Sequence, residues 1–259
     1  MLGKATDSAQ PSRSYRSGMS HRTIVIDPAF EGPPGWAHGG YTCGVLARHL
    51  PGDAEITLRT PVPLGAVLEL TPSEGGLSLC DGPTLVAEGT STRLVDSVPE
   101  PPSFADALAA MAAFPGLRSH PFPRCVGCGT DRTDGVALRL FPGPVAGREV
   151  FAAVWYPSGD ATTADGLIRP EFAWAALDCP GGWAAVHFGQ IDQPAVLGRM
   201  AVRLPRPIVA QSTHIVVGWL DGVAGRKLAA GSALYSRDGT LQGFSRQTWI
   251  TLTNPGRPA

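Results

Sequence analysis

The chain has 259 residues, of which 43% are hydrophobic and 17% are charged, and its formal net charge is -1. Such an apolar composition excludes a disordered chain, and the lack of a basic surplus argues against a nucleic-acid partner. The 32 glycines and 25 prolines favour many turns and short strands over a helical bundle. No uncharged apolar run in the sequence reaches the roughly 18 residues that a membrane-spanning helix needs.

The N-terminal segment MLGKATDSAQPSRSYRSGMSHR is rich in serine and arginine and lacks the apolar stretch of a secretory signal peptide. It predicts a disordered arm over residues 1–22. The five cysteines of the chain are an odd number, which without a signal peptide indicates a reducing compartment. We therefore expect a cytoplasmic protein.

Two segments of the chain share a pattern at an offset of 144 positions. Residues 58–64 read LRTPVPL and residues 202–208 read VRLPRPI. An apolar run follows each segment, and a hairpin signal follows each run, at Asp81-Gly82 and at Asp238-Gly239. The common order of these elements predicts an internal duplication.

The element before each of these segments is predicted to be a helix. The first helix begins near His38, and the second begins at Pro170, a favourable first helical position. Pro180 and the two glycines after it are expected to kink or break the second helix. Each unit therefore consists of a strand, a loop, a long helix and three or four antiparallel strands, which is an α+β arrangement.

The proline-rich segment 99–134 separates the two predicted repeats, residues 23–98 and 135–254. It is interpreted as a linker with a short helix in SFADALAAMAAF, capped by Ser103.

Cys125-x-x-Cys128 has the spacing of a metal site, but zinc normally takes four ligands and the sequence offers no second pair. His120 is near in sequence, and Cys80 or Cys179 could join the pair only through the fold. A redox pair is an alternative, although no thioredoxin-like βαβ pattern surrounds it. We therefore expect a tight turn without stoichiometric zinc, and no cofactor.

The string Gly35-Trp36-Ala37-His38-Gly39-Gly40 resembles the helix start of hotdog-fold acyl-CoA thioesterases, especially the phenylacetyl-CoA type. The stretch FPRCVGCGTDRTDGVALRLFPGPV is similar to a segment of hotdog thioesterase-like proteins. The resemblance implies a double hotdog that occupies nearly the whole chain. It also implies hydrolysis of acyl-CoA or another thioester at a site between two paired units.

The first turn of the first helix supplies candidate groups for this reaction. Backbone N–H groups there have no intrahelical partner, and glycine lets a carbonyl approach them closely. Gly39 and Gly40 are therefore predicted to polarise the thioester carbonyl, while His38 orients the substrate or caps the helix. The alternative is that the two glycines only permit tight packing.

Thioester hydrolysis also needs a carboxylate. The resembled family has an acidic residue nine positions after the histidine, where this chain has Arg48. Alignment of Arg169 with His38 places Asp178 at that position in the second repeat. The resemblance implies a composite site with Asp178 as general base or nucleophile, and a second, decayed site containing Arg48 and Arg169. A locally hydrogen-bonded, structural Asp178 is the alternative.

Trp36, Trp174 and Glu171 are predicted to bind substrate. The aromatic residues Trp36, Trp174, Phe172 and Trp183 indicate a bulky or aromatic pocket, although they fit a core equally well. The predicted function is that of an acyl-CoA thioesterase. One alternative is a non-catalytic acyl-CoA-binding protein. Another is an enoyl-CoA hydratase, which rests only on the loop that ends at Asp160. We expect at most a homodimer.

Overall fold

The computed structural model describes residues 22–157, 159–210 and 212–253. Apart from Arg22, which already belongs to the first strand, the predicted N-terminal arm lies outside these residues. The strands are β1 (Arg22–Ile24), β2 (Ala54–Leu58), β3 (Leu68–Ser73), β4 (Gly76–Asp81), β5 (Thr84–Ser91), β6 (Gly143–Pro144), β7 (Phe151–Trp155), β8 (Ala195–Arg203), β9 (His214–Ala224), β10 (Lys227–Ser236) and β11 (Leu241–Thr251). The α-helices are α1 (Gly39–Ala47), α2 (Phe104–Ala112) and α3 (Pro170–Phe188).

All eleven strands form one sheet in the order β1-β3-β4-β5-β2-β8-β11-β10-β9-β7-β6. At its centre β2 pairs antiparallel with β8, where Ala54 lies opposite Val202 and Thr57 lies opposite Arg199. Read outward from this junction, both sides follow the same order. On one side β2 is followed by β5, β4, β3 and β1, and on the other side β8 is followed by β11, β10, β9 and β7, with β6 at the edge. On each side the order therefore runs from the strand after the helix, through the last strand and the two before it, to the strand that precedes the helix.

The two predicted hairpin turns are confirmed. Asp81 ends β4, and Gly82 follows it with a φ of 53°. Gly239, between β10 and β11, has a φ of 89°. Both values lie in the left-handed region, which glycine adopts without steric cost.

The predicted helices form, with one correction. α2 has Ser103 as its N-cap, whose hydroxyl accepts a hydrogen bond from the Asp106 N–H at 3.1 Å. α3 runs through Pro180 as one helix of 19 residues, so the expectation of a break there is wrong. In the turn before Pro180, the side-chain amide of Gln247 donates a hydrogen bond to the carbonyl of Leu177. This bond ties α3 to β11 beside the proline.

α1 and α3 lie on one face of the sheet, and α2 lies on the other. In β9, Val216 belongs to the apolar core that contains α1 and α3. Its neighbours Ile215 and Val217 belong to a second core that contains Ala107 and Ala110 of α2. This alternation is the period of a strand with both faces covered. Among the described residues, no helix combines the length and apolar character needed to cross a membrane.

The contact between α1 and α3 depends on glycine. A Cβ at Gly44 would lie 2.6 Å from the Cα of Glu171 and 2.9 Å from the Cβ of Trp174. The two helices therefore pack with backbone close to backbone. Most residues of both helices are buried, because each helix packs against the other helix and against the sheet.

We predict that Gly44→Ala destabilises the protein. The added methyl overpacks the interface at a typical cost of about 1–3 kcal/mol, which exceeds the roughly 1 kcal/mol that alanine gains over glycine in a helix. Because the new methyl would meet the backbone of α3, the upper half of the overpacking range applies, and the expected net loss in urea unfolding is about 1–2 kcal/mol. Gly222→Ala is the control, because its Cβ would meet nothing within 4 Å, and it should change stability by less than about 0.5 kcal/mol. Equal effects of the two changes would contradict the close helix contact.

Candidate active site

The N-terminus of α1 faces the middle of α3. The Gly40 N–H donates a hydrogen bond of 2.7 Å to Oδ2 of Asp178, across 138 positions of sequence. His38 is the N-cap of α1, and its Nδ1 accepts a hydrogen bond from the Tyr41 N–H at 3.2 Å. The structure thus brings together His38, Gly40 and Asp178, which were singled out in different halves of the chain.

Gly40 and Gly39 differ in what their amides can do. A Cβ at Gly40 would lie 2.6 Å from the Cβ of Asp178 and 2.8 Å from the carbonyl oxygen of Trp174, so Gly40 is needed for packing. Its N–H already donates to Asp178, which does not fit the predicted contact with a substrate carbonyl. The Gly39 N–H donates to no group in the described part of the chain, and Gly39 lines the adjacent cleft. Gly39 is therefore the better candidate for that contact.

Asp178 is a buried acid with one oxygen free. The residue is 2% exposed. Oδ2 accepts from Gly40 and lies 3.4 Å from Nε2 of His38. Oδ1 is buried and has no hydrogen-bond partner among the described residues. Burial raises the pKa of Asp178 to about 6, against the opposing effects of His38 and the Gly40 N–H. A buried oxygen without a partner is poised to accept a proton from a bound molecule.

Three cysteines lie beside this acid, and we call Cys125, Cys128 and Cys179 the thiol cluster. The sulfurs of Cys125 and Cys179 are 3.9 Å apart, and Nε2 of His38 lies 3.4 Å from the sulfur of Cys179. Nε1 of Trp183 donates to the sulfur of Cys128 at 3.4 Å. The sequence offers no second cysteine pair, but the fold brings Cys179 and His38 next to Cys125 and Cys128.

Electrostatics couple the thiol cluster to the histidine. Hydrogen bonds from the thiols of Cys128 and Cys179 hold the pKa of Cys125 well below its usual range. Burial by itself would lower the pKa of His38, but the charges of Cys125 and Asp178 outweigh it and raise that pKa. The same hydrogen bonds to Cys125 raise the pKa of Cys128 and Cys179.

A cleft of about 100 Å³ opens beside these groups. Its polar residues are His38, Gly39, Asp178 and the thiol cluster, and the rest of its lining is largely apolar. The apolar lining includes Phe122, Trp183, Val186, Leu197 and Trp249. A second cavity of about 240 Å³ shares Pro33, Gly39, Val196 and Leu197 with the cleft. The two spaces thus meet at the first residue of α1.

Solved structures with the same arrangement decide the fold. A tesB protein of Mycobacterium avium subspecies paratuberculosis matches with a TM-score of 0.58 and 13% identity over 92% of this chain and 95% of that one. A candidate thioesterase of Novosphingobium aromaticivorans matches with a TM-score of 0.55 and 12% identity, over 92% and 97%. A hotdog-fold protein of unknown function from Alicyclobacillus acidocaldarius matches at 0.51 and 10%, over 93% and 96%.

The chain has a hotdog-like α+β fold. The expected fold class is thus confirmed at this level. No family model matches the sequence, and no curated protein matches it.

The remaining predicted site residues of this hotdog chain lie at different distances from the cleft. Trp36 lines the second cavity. Trp174 is 4% exposed and packs against α1, outside both cavities. Glu171 also lies outside them, so the assignment of Trp174 and Glu171 to substrate binding does not fit their positions. Asp160 is exposed and lines neither cavity.

Sequence reasoning missed most of the apolar lining of the cleft, including Phe122, Leu197 and Trp249, because these residues come from distant parts of the chain. Trp183, which the sequence offered as a pocket residue, lies one helical turn beyond Cys179 on α3 and lines the cleft. Of the cysteines that could join the pair only through the fold, the structure brings Cys179 to Cys125 across 54 positions.

A second polar contact between α1 and α3 lies away from the cleft. Nη1 of Arg48 is 3.4 Å from Oε1 of Glu171, whose side chain is only 6% exposed. We predict that Arg48→Ala lowers stability by about 1–3 kcal/mol, because it leaves a buried carboxylate without its cation. Urea unfolding checks this. Glu171→Gln in the same chain should recover part of the loss, and strictly additive effects would contradict the pairing.

Proposed function

We propose that the protein hydrolyses an acyl thioester, with acyl-CoA as the substrate class, in the cleft at the N-terminus of α1. The observation that carries the proposal is Asp178. Its Oδ2 is held by the Gly40 N–H, and its buried Oδ1 has no partner among the described residues. Several superposing hotdog proteins bear the name thioesterase, which supports a thioester as substrate.

In the proposed reaction the thioester carbonyl approaches the N–H of Gly39. The positive end of the α1 dipole and this N–H stabilise the negative charge that develops on the carbonyl oxygen. Oδ1 of Asp178 accepts a proton from water as the water oxygen bonds to the carbonyl carbon. The carbon–sulfur bond then breaks, and the thiolate takes up that proton. Direct attack by Oδ1 on the carbonyl carbon, followed by hydrolysis of the anhydride, is the covalent variant.

The shape of the two cavities fits a long, bent substrate. Since they meet at Gly39, a thioester held there would extend its acyl chain into one space and its pantetheine arm into the other. Trp36, on the wall of the second cavity, keeps its proposed role as a substrate contact. Trp174 and Glu171 take structural roles in the interface between α1 and α3.

We further infer that the chain is a fused pair of hotdog units, residues 23–98 and 135–254, joined by the segment 99–134. The shared strand order on the two sides of the β2–β8 junction supports this inference. In such a pair the first unit contributes the helix N-terminus and the second contributes the acid. The ion pair between Arg48 and Glu171 then occupies the position of the second, decayed site.

One observation favours a second candidate, a non-catalytic protein that binds acyl-CoA. The Gly40 amide, which the resemblance assigns to the carbonyl, donates to Asp178 instead. A site of this kind would bind the thioester without fully polarising its carbonyl group. Release of free thiol from a panel of acyl-CoA esters separates turnover from binding. The hydratase alternative has no support from Asp160, which is exposed and outside both cavities.

We predict that Asp178→Asn lowers turnover of the best thioester by roughly 100-fold or more, because the amide removes the base or nucleophile. The amide oxygen still accepts from the Gly40 N–H, so the fold should survive, which circular dichroism checks. Thiol release under saturating substrate measures the effect.

Arg48→Ala is the matched control for this experiment. It disturbs the same helix interface but lies outside the cleft, so turnover of the folded variant should stay within about a few-fold of the wild type. Full activity of Asp178→Asn would overturn the proposed role of the acid. Tight acyl-CoA binding without turnover in the wild type would select the binding protein.

We expect a monomer or a homodimer. The β2–β8 pairing already joins the two units within one chain, and the outer strands β1 and β6 have only three and two residues, which limits strand addition at the edges. Static light scattering should report one or two chains per particle. A hexamer or a larger assembly would contradict this expectation.

A further inference from the structure

The thiol cluster and His38 bring together three separate parts of the chain. Cys125 and Cys128 lie in the loop between α2 and β6, Cys179 lies on α3, and His38 caps α1. The ligand atoms of His38, Cys125 and Cys179 all lie within 4.8 Å of one another. All four side chains are buried. The donor atoms of His38, Cys125 and Cys179 therefore converge from three segments on one enclosed point, and Cys128, three positions after Cys125 in the same loop, belongs to the same buried cluster.

We propose that the thiol cluster and Nε2 of His38 bind a zinc ion as its four ligands. This inference does not depend on the proposed hydrolase activity. It replaces the expectation of a tight turn without zinc, because the fold brings Cys179 and His38 to the cysteine pair. Three thiolates and one imidazole form a common ligand set of structural zinc sites, and soft thiolates disfavour magnesium and calcium.

The spacing of Cys125, Cys179 and His38 fits tetrahedral zinc. Zinc lies about 2.3 Å from thiolate sulfur and about 2.0–2.1 Å from imidazole nitrogen. A tetrahedron with these bond lengths separates two sulfurs by about 3.8 Å and a sulfur from the nitrogen by about 3.5 Å. The sulfurs of Cys125 and Cys179 are 3.9 Å apart, and Nε2 of His38 is 3.4 Å from the sulfur of Cys179.

The loop is built to approach this point closely. A Cβ at Gly127, between the two loop cysteines, would lie 2.6 Å from the sulfur of Cys179 and 2.7 Å from Nε2 of His38. Two hydrogen bonds hold the turn in place. The Val126 N–H donates to the carbonyl of Glu31 at 2.7 Å, and the carbonyl of Gly127 accepts from the Leu140 N–H at 2.9 Å. A side chain at position 127 would push the loop away from the other donors.

The surroundings supply what a charged metal centre needs. Three thiolates and one zinc ion carry a net charge of -1. Arg132, a buried cation in the same loop, pairs with Asp134 at 2.7 Å and also acts electrostatically on His38. The Trp183 N–H donates to the sulfur of Cys128 at 3.4 Å. Donors to ligand sulfurs and nearby counter-charges are the outer-shell contacts that orient and tune metal ligands.

Metal binding requires a defined transfer of protons. Zinc displaces one proton from each of the three thiols, and these protons pass to solvent. Nε2 of His38 must offer its lone pair, so the imidazole proton moves to Nδ1. There the Tyr41 N–H now donates at 3.2 Å, and that hydrogen bond must open. The loss of one helix cap is a small effect beside the affinity of thiolate ligands for zinc.

The test is metal analysis of the full chain, purified under reducing conditions and loaded with zinc. After removal of free metal, about one zinc per chain should remain. Cobalt(II) in place of zinc should give the intense visible and near-ultraviolet bands of tetrahedral thiolate coordination. Cys125→Ser and Cys179→Ser should weaken zinc, measured by chelator competition, by more than the roughly 10–100-fold typical of a lost outer-shell contact.

Two variants separate coordination from structure. Cys80→Ser is the matched control, because Cys80 lies on β4 outside the thiol cluster, and it should retain zinc like the wild type. His38→Asn keeps an N-cap acceptor for α1 but removes the imidazole, so zinc affinity should fall. An unchanged affinity would overturn the assignment of His38.

The wild-type chain alone can overturn the proposal, even where a cysteine variant fails to fold. Less than stoichiometric zinc after loading, or a cobalt spectrum without thiolate bands, contradicts it. Zinc that stays with both cysteine variants contradicts it as well. Loss of two free thiols in the denatured wild type, counted against the five cysteines of the sequence, would identify a disulfide in place of the metal site.

Discussion

The close contact between α1 and α3 is the constraint on which the rest of this molecule depends. Gly40 and Gly44 lie one helical turn apart on α1, and at both positions a side chain would collide with atoms of α3. The absence of side chains there lets a backbone N–H of one helix reach the carboxylate of the other at 2.7 Å. The sheet then closes around this helix pair, because both helices are apolar on most sides.

This contact also decides how the buried polar groups are satisfied. α1 has no acidic residue in its first turn, and the carboxylate of Asp178 takes that place from another helix. Glu171, two turns earlier on α3, forms an ion pair with Arg48, the C-cap residue of α1. Each buried acid of α3 therefore meets a donor on α1, but only Asp178 keeps an oxygen without a partner next to a cavity. That difference separates a structural pair from a candidate reaction centre.

The loop that contains Cys125 and Cys128 lines the site together with α1 and α3. It crosses from α2, on one face of the sheet, to the helix pair on the other, and it places two sulfurs against Cys179 and His38. His38 therefore belongs to two environments, since its Nε2 lies 3.4 Å from both Asp178 and Cys179. A metal bound at the thiol cluster and the proposed hydrolytic acid would share this one imidazole. Occupancy of one site would thus change the hydrogen bonding of the other.

Features set by neighbouring residues could be predicted from the sequence. The turns at Gly82 and Gly239, the Ser103 cap of α2 and the start of α1 depend on contacts within a few positions. The proximity of Asp178 to the α1 N-terminus was also predicted, though only from the resemblance to hotdog proteins and from an alignment of the helices of the two predicted repeats.

Contacts across long stretches of chain were decided by tertiary structure alone. The side-chain amide of Gln247 donates to the carbonyl of Leu177 next to Pro180, in a helix that local rules would break at the proline. Trp174 lies in the core because α1 covers it, although its type suits a pocket equally well. Cys179 joins Cys125 across 54 positions, and Asp178 takes the Gly40 amide across 138. Composition and periodicity describe which face of an element is apolar, but the packing of α1 on α3 determines which atoms then meet.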